Sequence, residues 1–539
     1  MRTRTKLSLL LAGALVVAGC TNDSTSPNDN AGEPQSGGEL TVLMDAAFGG
    51  SWPSGLDPAT NTTGGGNLTQ MLAIYGGLFR LVADDDGSNA EVVPHQAEGY
   101  TFEDEGKTVR IKIRSGIKFT DGTDFDAEAV VFNIRRALTA NCSSRPTWQL
   151  ASEDIEENVF AEGDEVVIKF LNATATAVSA FVASNVNWIG SPTAIEEMGE
   201  DEFRITPVAA GPFKVVSNEL SSELVLEKNT EYFKPGLPYL DRLIVRSVGG
   251  DQPAYQALLA GQGDVYEGMT NIPVLDQARA NDQLVVTQQP ATSPYLIQLN
   301  TKLAPFNDKR AREAIYYATD VEAIRQGLFR GLYPAAQTFT APGGLFYQET
   351  IPGYRTYDPD RAREIVEEIE AETGQPFTVD LGTLDAYVAN QVNIELERQW
   401  EEVGIETTIH SDQLAGLVQN FIGGQWQAML QTAGAWDPAI GVGVAFRFSS
   451  TFPFSGVADD TIDDLLIQGA QVTDLDERND IYLELGTYIS DEALAPYILA
   501  FAPASVVRRG VHGPGLDTQI PPVVVNTAIL WDEAWMSQT

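Results

Sequence analysis

Alternation of apolar and polar residues predicts a β-hairpin about one fifth of the way along the chain. From 108 to 114, valine and isoleucine alternate with arginine and lysine, a period of two that buries one face of a strand. An earlier strand-like segment, 100–102, is joined to it by the acidic turn Glu-Asp-Glu-Gly at 103–106. The two segments therefore predict neighbouring antiparallel strands.

Helical spacing follows directly after this hairpin. Apolar residues recur every three or four positions from 127 to 138, behind Asp126, a residue type that favours a helix N-cap. Residues 205–250 are again rich in strand-like runs, and helical spacing dominates beyond residue 300. At 358–359, Asp-Pro has the form of a cap and a first-turn proline. The order of these segments predicts an α/β protein.

The first twenty residues have the form of an export signal. Three basic residues precede an apolar run, 7–17, which is too short to cross a membrane but fits a secretory signal. The run ends in Val-Ala-Gly-Cys, which resembles a bacterial lipobox, so we expect residues 1–19 to be removed and Cys20 to carry lipid. A plain signal peptide with a chance cysteine is the alternative.

The segment 20–37 contains no large apolar side chain after the cysteine, and we expect it to be a flexible tether. Once Cys20 is lipidated, Cys142 has no intramolecular disulfide partner. An inert thiol is a better interpretation of Cys142 than a catalytic one. No further apolar run approaches the length of a membrane span.

Composition and charge exclude nucleic acid as a partner. The 539 residues contain 34 Lys and Arg against 75 Asp and Glu, a formal net charge of −41. Such a surface repels nucleic acid, which requires a cationic binding face. With 43% hydrophobic residues, the chain has the composition of a globular protein and is long enough for two to four domains.

Signals for catalysis, metals or cofactors are weak. The three histidines, His95, His410 and His512, are scattered and show no metal-ligand spacing. The Gly-rich stretch after residue 45 lacks both the phosphate-loop pattern and a nucleophile elbow. We therefore expect no enzyme activity, no metal and no cofactor. A secreted lipoprotein hydrolase, with a nucleophile and a base within hydrogen-bond reach in the cleft, stays open as an alternative of another class.

Several ordered segments resemble the family 5 extracellular solute-binding proteins, the peptide and nickel type that serves ATP-driven importers. The most distinctive is the hairpin with the block that follows it, K-F-T-D-G-T-D-F-D-A-E-A-V at 118–130, where Ala129 replaces the family's usual Asp. A second, G-P-F-K-V at 211–215, is preceded by two alanines in place of Gly-Thr. Further matching segments are 75–81, 239–243, 257–265, 299–301 and 305–315.

This resemblance implies a two-lobed α/β fold of the type II periplasmic-binding-protein class. Lobe one is expected from 38–80, 206–297 and 505–539, with an inserted subdomain at 81–205, and lobe two from 298–504. Two crossings between the lobes are expected near 295–300 and 499–505. The resemblance also implies a monomer that closes around a solute and presents it to a membrane permease of an ABC importer, on the outer face of the bacterial membrane.

Ligand contacts are expected where segments leave a sheet or cross between lobes. Phe48 and Trp52 follow the first strand, and Tyr295 lies at the predicted first crossing, where related proteins place an aromatic ring over the ligand. Trp436 and Asp437 belong to G-A-W-D-P, which resembles the family's D-Y-x-x-P loop. The complete set of expected contacts is Phe48, Trp52, Tyr295, Trp426, Trp436, Asp437, Arg447 and Phe448.

The G-A-W-D-P loop also departs from the family. Relatives that import peptides carry an acidic residue four positions before the proline, which receives the amino terminus, and Gly434 occupies that position here. A buried ammonium without a carboxylate is costly. Either Asp437 takes over that role or the ligand has no free amino terminus. An oligopeptide or dipeptide is the favoured ligand, and an oligosaccharide, a nickel chelate or an amino-modified compound is the alternative.

Overall fold

The computed structural model describes residues 32–47, 49–61, 67–84, 87, 90–140, 150–182, 184–432, 434, 436–439, 444–450, 452, 455–522 and 528–537. Three residues singled out from the sequence, Cys20, Phe48 and Cys142, lie outside the described residues, as does the predicted signal segment.

The strands are, in chain order, β1 (Glu39–Asp45), β2 (Phe79–Ala83), β3 (Ala90–Pro94), β4 (Ala97–Glu103), β5 (Thr108–Ile113), β6 (Val159–Glu162), β7 (Glu165–Lys169), β8 (Phe213–Glu219), β9 (Glu223–Lys228), β10 (Arg242–Val248), β11 (Val265–Met269), β12 (Leu284–Gln288), β13 (Ser293–Leu299), β14 (Thr378–Leu384), β15 (Glu406–Asp412), β16 (Ala428–Thr432), β17 (Tyr497–Phe501), β18 (Ala504–Arg508), β19 (Val511–His512) and β20 (Trp535–Met536).

The α-helices are α1 (Leu68–Tyr75), α2 (Ala127–Thr139), α3 (Ile155–Asn158), α4 (Ala177–Val182), α5 (Pro192–Met198), α6 (Glu200–Phe203), α7 (Asp251–Leu259), α8 (Ile272–Arg279), α9 (Lys309–Ala318), α10 (Val321–Phe329), α11 (Pro359–Thr373), α12 (Tyr387–Glu401), α13 (Leu414–Gly423), α14 (Val444–Phe448), α15 (Asp460–Gln471) and α16 (Leu475–Asp491).

The first lobe is built on a seven-stranded sheet in the order β12-β18-β11-β1-β10-β9-β8. At its centre, β1 is parallel to both β10 and β11, and the other pairs are antiparallel. The central strands are apolar on both faces because helices or loops cover both sides of the sheet. β18 reaches this sheet from the C-terminal part of the chain, some 216 residues after β12.

A four-stranded antiparallel sheet in the order β4-β5-β7-β6 forms the inserted subdomain, which we call the insert. The hairpin expected around residue 105 is confirmed as β4 and β5, with Tyr100 opposite Ile111. The expected helix is confirmed as α2, and the Asp126 carboxylate accepts a hydrogen bond from the Ala129 amide at 2.9 Å. Asp358 likewise caps α11, with Pro359 at its first position.

The second lobe is built on a five-stranded sheet in the order β15-β14-β16-β13-β17. The chain passes from the first sheet to this one at 289–292 and returns at 502–503. The first crossing therefore precedes the predicted position, because residues 295–299 belong to β13 and pair with β16 on one side. β13 begins with Ser-Pro directly after the linker Gln-Pro-Ala-Thr, so the sequence looks like linker until the apolar residues start at Tyr295.

A buried ion pair ties the C-terminal segment to the first lobe. Arg80 Nη1 lies 3.0 Å from both carboxylate oxygens of Asp532, and Tyr232 Oη donates to the same carboxylate at 3.1 Å. Neighbouring cations hold the pKa of Asp532 well below its usual range, despite the opposing effect of burial. Removing one partner of such a pair typically costs about 3–5 kcal/mol, because an uncompensated charge would remain.

The described residues form two large hydrophobic cores, one per lobe. The core of the first lobe extends into the insert, and one tryptophan of the second lobe, Trp436, belongs to it. Within the described part of the chain, no helix has both the length and the apolar character needed to cross a membrane.

Candidate functional site

Strand directions place a cleft between the facing edges of the two sheets. β1, β10 and β11 are parallel, so they end at a common edge of the first sheet. Both crossings leave from that edge, since Gln288, the last residue of β12, and Met269, in β11, both pair with Ala504. In open α/β sheets the carboxyl edge is the usual place for ligands.

The second sheet presents its own carboxyl edge to the same side. β14 and β15 run parallel to β16, and β16 is antiparallel to β13, so all three end near the residue where β13 begins. Tyr295 lies opposite Thr432, the last residue of β16. The loop containing Gly434, Trp436 and Asp437 therefore leaves this edge and faces the cleft.

The loop after β1 folds back tightly on the first sheet. The Gly50 amide donates to Asp45 O at 2.9 Å, and a Cβ at Gly50 would lie 2.5 Å from Met44 O, so a side chain does not fit there. Trp52 is fully buried in this loop, with its indole Nε1 donating to Asn218 Oδ1 at 2.9 Å. This position makes Trp52 a packing residue of the first lobe, which differs from the expected ligand contact.

Several buried side-chain oxygens without a hydrogen-bond donor among the described residues lie where this loop meets the start of α1. Asn67 and Gln70 donate through their amide nitrogens to Gly49 O, at 3.2 and 2.8 Å, while Asn67 Oδ1 and Gln70 Oε1 receive no hydrogen bond. Between them in sequence, Thr69 Oγ1 donates to Glu267 Oε1 at 2.9 Å, and Glu267 Oε2 is likewise unpartnered. All three acceptor residues are buried.

Glu267 is thus a buried carboxyl group at the cleft edge of β11. Burial raises its pKa to about 7, and the hydrogen bond from Thr69 only partly opposes that effect. The proton is therefore half lost close to neutral pH. Asp45, at the end of β1, also has a raised pKa because it is partly buried and near the charge of Asp251.

Gly434 is packed against the first crossing. A Cβ at this position would lie 2.4 Å from Thr292 O and 2.7 Å from Pro294 Cδ. The crossing is held from the other side by the Gly343 amide, which donates to Ala291 O at 2.6 Å. Close approach of two backbones therefore explains the glycine, and a carboxylate at this position would require the crossing to move.

Trp436 and Asp437 point into different environments. Trp436 is 7% exposed and packs with the hydrophobic core of the first lobe, so it bridges the lobes. Asp437 is 1% exposed, and its Oδ1 accepts from Arg478 Nη2 at 2.7 Å and from the Ala439 amide at 3.0 Å. Asp437 is already neutralised within the second lobe, so the expectation that it takes over an ammonium from Gly434 gains no support.

Arg447 lies beside the cleft edge of the second sheet. Its Nη1 donates to Gln431 Oε1 at 2.6 Å, and its Nη2 donates to Thr432 O at 3.0 Å. The Gln431 amide in turn donates to Gln298 Oε1, and Gln298 Nε2 donates to Arg447 O at 2.6 Å. Burial lowers the pKa of the Arg447 guanidinium to about 9, so it stays charged at neutral pH.

Three expected contacts remain. Tyr295 is 3% exposed within β13, packs edge-on against Phe501 at 5.4 Å, and has a pKa raised by burial. Phe448 is fully buried in the core of the second lobe. Trp426 precedes β16 and stacks on Phe421 at 5.5 Å, and the Arg447 guanidinium lies over the same Phe421 ring at 5.1 Å. Ligand contact by Phe448 and Trp426 stays a prediction.

The structure therefore brings Tyr295, Trp436 and Arg447 to the cleft edge of the second lobe. Sequence reasoning missed Arg478, the partner of Asp437, and Glu267 at the opposite edge. A signal for Glu267 was present, since it is a charged residue within the otherwise apolar end of a central strand. No comparable local signal marks Arg478, which lies 41 residues from its partner.

Groupings of metal-ligating side chains were sought throughout the ranges that the structure describes. No group of three or more His, Cys, Asp or Glu residues there is arranged to hold a metal ion.

Comparison with known proteins gives a consistent assignment. The sequence profile described as "Bacterial extracellular solute-binding proteins, family 5 Middle" matches residues 91–451. The chain is 29% identical over 352 residues to the glutathione-binding protein GsiB of Salmonella paratyphi A, covering 64% of this chain and 65% of that protein. It thus spans a little less than two thirds of the length of this curated relative.

Solved structures show the same fold over nearly the whole chain. The dipeptide-binding protein of Pseudoalteromonas sp. SM9913 in complex with Met-Leu has a TM-score of 0.77 at 18% identity, covering 93% of this chain and 100% of that one. NikA of Staphylococcus aureus in complex with Ni(L-His)2 has a TM-score of 0.72 at 17% identity, covering 91% and 99%. The predicted two-lobed α/β fold and the resemblance to family 5 are confirmed.

The raised pKa of Glu267 predicts a pH-dependent stability. An acid whose folded-state pKa lies near 7, above its unfolded value of 4.5, loses stability as the pH rises between those values. Replacing Glu267 by Gln removes the ionisation. We expect Glu267→Gln to match the wild type near pH 5 and to exceed its free energy of unfolding by about 1–3 kcal/mol at pH 8.

Urea unfolding at both pH values measures this difference. Glu197→Gln, on the exposed face of α5, is the matched control and should leave the pH profile unchanged. A Glu267→Gln variant whose free energy of unfolding differs from that of the wild type by the same amount at pH 5 and at pH 8 would show that folding does not raise the pKa of this carboxyl.

Proposed function

Because the chain belongs to family 5 of the bacterial extracellular solute-binding proteins, we propose that it captures a small solute between its two lobes and delivers it to the permease of an ABC importer. The observation that carries this proposal is the opposition of two carboxyl edges across short crossings. A solute there would contact both lobes at once. The exposed remainder of each sheet edge would then be enclosed when the lobes approach.

Such a protein works by a shift of populations. Open and closed forms exchange, and a solute that touches both lobes favours the closed form by its difference in affinity for the two forms. Trp436 suits this role because it belongs to the second lobe but packs with the core of the first. The permease would recognise the closed shape, and the solute would be released unchanged. The chain would therefore act as a monomeric carrier and not as a hydrolase.

A peptide is the solute class we propose first. The relative GsiB is named for glutathione, and a protein of the same fold is complexed with Met-Leu. In this chain, Arg447 places a guanidinium beside the cleft edge, where it would pair with a solute carboxylate. Tyr295 and Trp436 supply aromatic surface for side chains or other flat groups.

The loop that contains Gly434 and Asp437 favours a particular kind of peptide. Gly434 leaves no room for a carboxylate in its loop, and Asp437 is paired with Arg478. An amino terminus would therefore not be received by this loop. Peptides whose amino terminus is blocked, or is received elsewhere in the cleft, fit this arrangement, and so do nickel chelates that carry carboxylates, as in the NikA complex. Oligosaccharides have no specific observation in their favour.

We also propose that the protein is exported and held at the outer face of the cell membrane by lipid on Cys20. The support is the sequence alone: a basic start, a short apolar run and Val-Ala-Gly-Cys at 17–20. A flexible tether would then raise the effective concentration of the carrier at its permease.

Binding without turnover is the first prediction of this proposal. The chain from residue 21 is titrated calorimetrically with glutathione, Met-Leu and Ni(L-His)2. We expect one of the two peptides to bind with a Kd in the micromolar range or tighter. At one hundred times Kd it should stabilise the fold by about 2.7 kcal/mol, and mass spectrometry should recover it intact.

Two tryptophan variants locate the site. Trp436→Phe should weaken binding at least fivefold, because Trp436 bridges the lobes, whereas Trp426→Phe, at the far edge, should stay within twofold of wild type. Equal weakening by both variants would contradict this placement of the site. Conversion of a bound peptide, or no binding by any of the three solutes, would contradict the proposed function.

Lipid attachment is predicted separately. In a bacterial host fed radiolabelled palmitate, the full chain should carry label and sediment with membranes. Cys20→Ala should lose both properties, whereas Cys142→Ala should keep them. Label that survives in Cys20→Ala, or a signal-cleaved chain that is found free of membranes, would exclude the anchor.

A further inference from the structure

A cavity of about 160 Å³ lies between the insert and the second lobe. The insert contributes α4 and the segment before it, and the second lobe contributes α14 and α15. We call this cavity the insert pocket. Six alanines line it, and their small side chains leave the space open; they are Ala173, Ala177, Ala180, Ala439, Ala445 and Ala470.

A backbone hydrogen bond joins the two sides of the insert pocket. The Ala175 amide, in the insert, donates to Ala470 O, in α15, at 2.8 Å. Because the walls belong to different parts of the molecule, the pocket exists only while the insert touches the second lobe. It is therefore a feature of the same lobe contact that encloses the cleft.

The chemistry of the lining is largely apolar. Phe170, Leu466 and Ile467 supply the larger walls, and Ile467 is 40% exposed at the mouth. One carboxylate, that of Asp463, also borders the cavity, but its Oδ1 accepts from Ser449 Oγ at 2.6 Å and from the Ser450 amide at 3.0 Å. An apolar group would displace water from this surface without unpairing that carboxylate.

The insert pocket adjoins the loop that faces the cleft. Ala439, which lines the pocket, donates through its amide to the carboxylate of Asp437, and Asp437 directly follows Trp436, the residue that bridges the lobes. Ser449, on the same wall, follows the helix that carries Arg447. The walls of this pocket are therefore joined through short stretches of chain to Arg447 and Trp436, the residues proposed to hold a solute at the cleft.

Size and lining together define the group that fits. Apolar cavities of about 150 Å³ in other proteins hold benzene or xenon. We propose that the insert pocket is a subsite for one apolar group of the solute, a phenyl or branched aliphatic side chain, so that the insert takes part in solute selection. This inference rests on the proposed function and narrows it to solutes with an apolar side chain.

Peptide affinities test the subsite. Ala-Ala-Ala is compared with its three single-phenylalanine variants by calorimetry on the mature chain. We expect at least one phenylalanine peptide to bind about tenfold more tightly than Ala-Ala-Ala. Ala470→Phe, which fills the pocket from α15, should abolish that advantage and leave the affinity for Ala-Ala-Ala within twofold. Ala371→Phe, on the exposed face of α11, is the matched control and should keep the advantage.

Ala470→Leu repeats the test with a smaller insertion, in case the phenylalanine variant does not fold. No gain from any phenylalanine peptide would overturn the subsite while the carrier function stands. The subsite would also be overturned if Ala470→Phe or Ala470→Leu weakened the binding of Ala-Ala-Ala as much as the binding of the phenylalanine peptides.

Xenon binding tests the pocket even if no peptide binds. A lack of peptide binding would count against the proposed peptide solute and not against the pocket. Crystals of the wild type under xenon pressure should show a bound atom between α4 and α15, and crystals of Ala470→Leu should not. An absence of xenon from the wild-type pocket would overturn the inference, because the recess would then not accept an apolar group.

Discussion

The two crossings between the sheets are the constraint on which the remaining structure depends. One has four residues, 289–292, and the other has two, 502–503. They are bonded to each other, since the Gln289 amide donates to Pro503 O at 2.9 Å and Gln289 Nε2 donates to Ser505 Oγ at 3.0 Å. Because the two crossings are short and are hydrogen-bonded to each other, the lobes can rotate about one axis while the two carboxyl edges stay opposed. A hinge of this kind converts solute contact into a change of shape.

Charge in the cleft is arranged around that hinge with few uncompensated groups. Asp437 and Arg478 neutralise each other in a buried pair, which joins the residue after Trp436 to α16. Arg447 stays charged beside neutral acceptors at the edge of the second sheet, and Glu267 lies at the edge of the first with one oxygen unpartnered.

Local patterns predicted much of the architecture. The β4–β5 hairpin and α2 follow from an alternation of period two and a capped helical repeat, and both signals depend on neighbours in sequence. The first crossing lies a few residues before the expected position, because polar residues and proline continue from the linker into the start of β13 and composition does not mark the boundary. Trp52 and Phe448 are buried in the cores of the two lobes, and aromatic residues suit cores and clefts equally well, so the sequence alone does not separate the two roles. The Asp437–Arg478 pair depends on a contact across 41 residues, which a single sequence does not reveal.

Small-angle X-ray scattering of the mature chain, with and without a solute whose binding has been established by calorimetry, tests most directly whether the lobes close. The account predicts a smaller radius of gyration in the saturated protein, and a profile intermediate between the two forms at half saturation. Identical profiles for the empty and saturated protein, at a solute concentration that fills the site, would contradict closure about the two crossings.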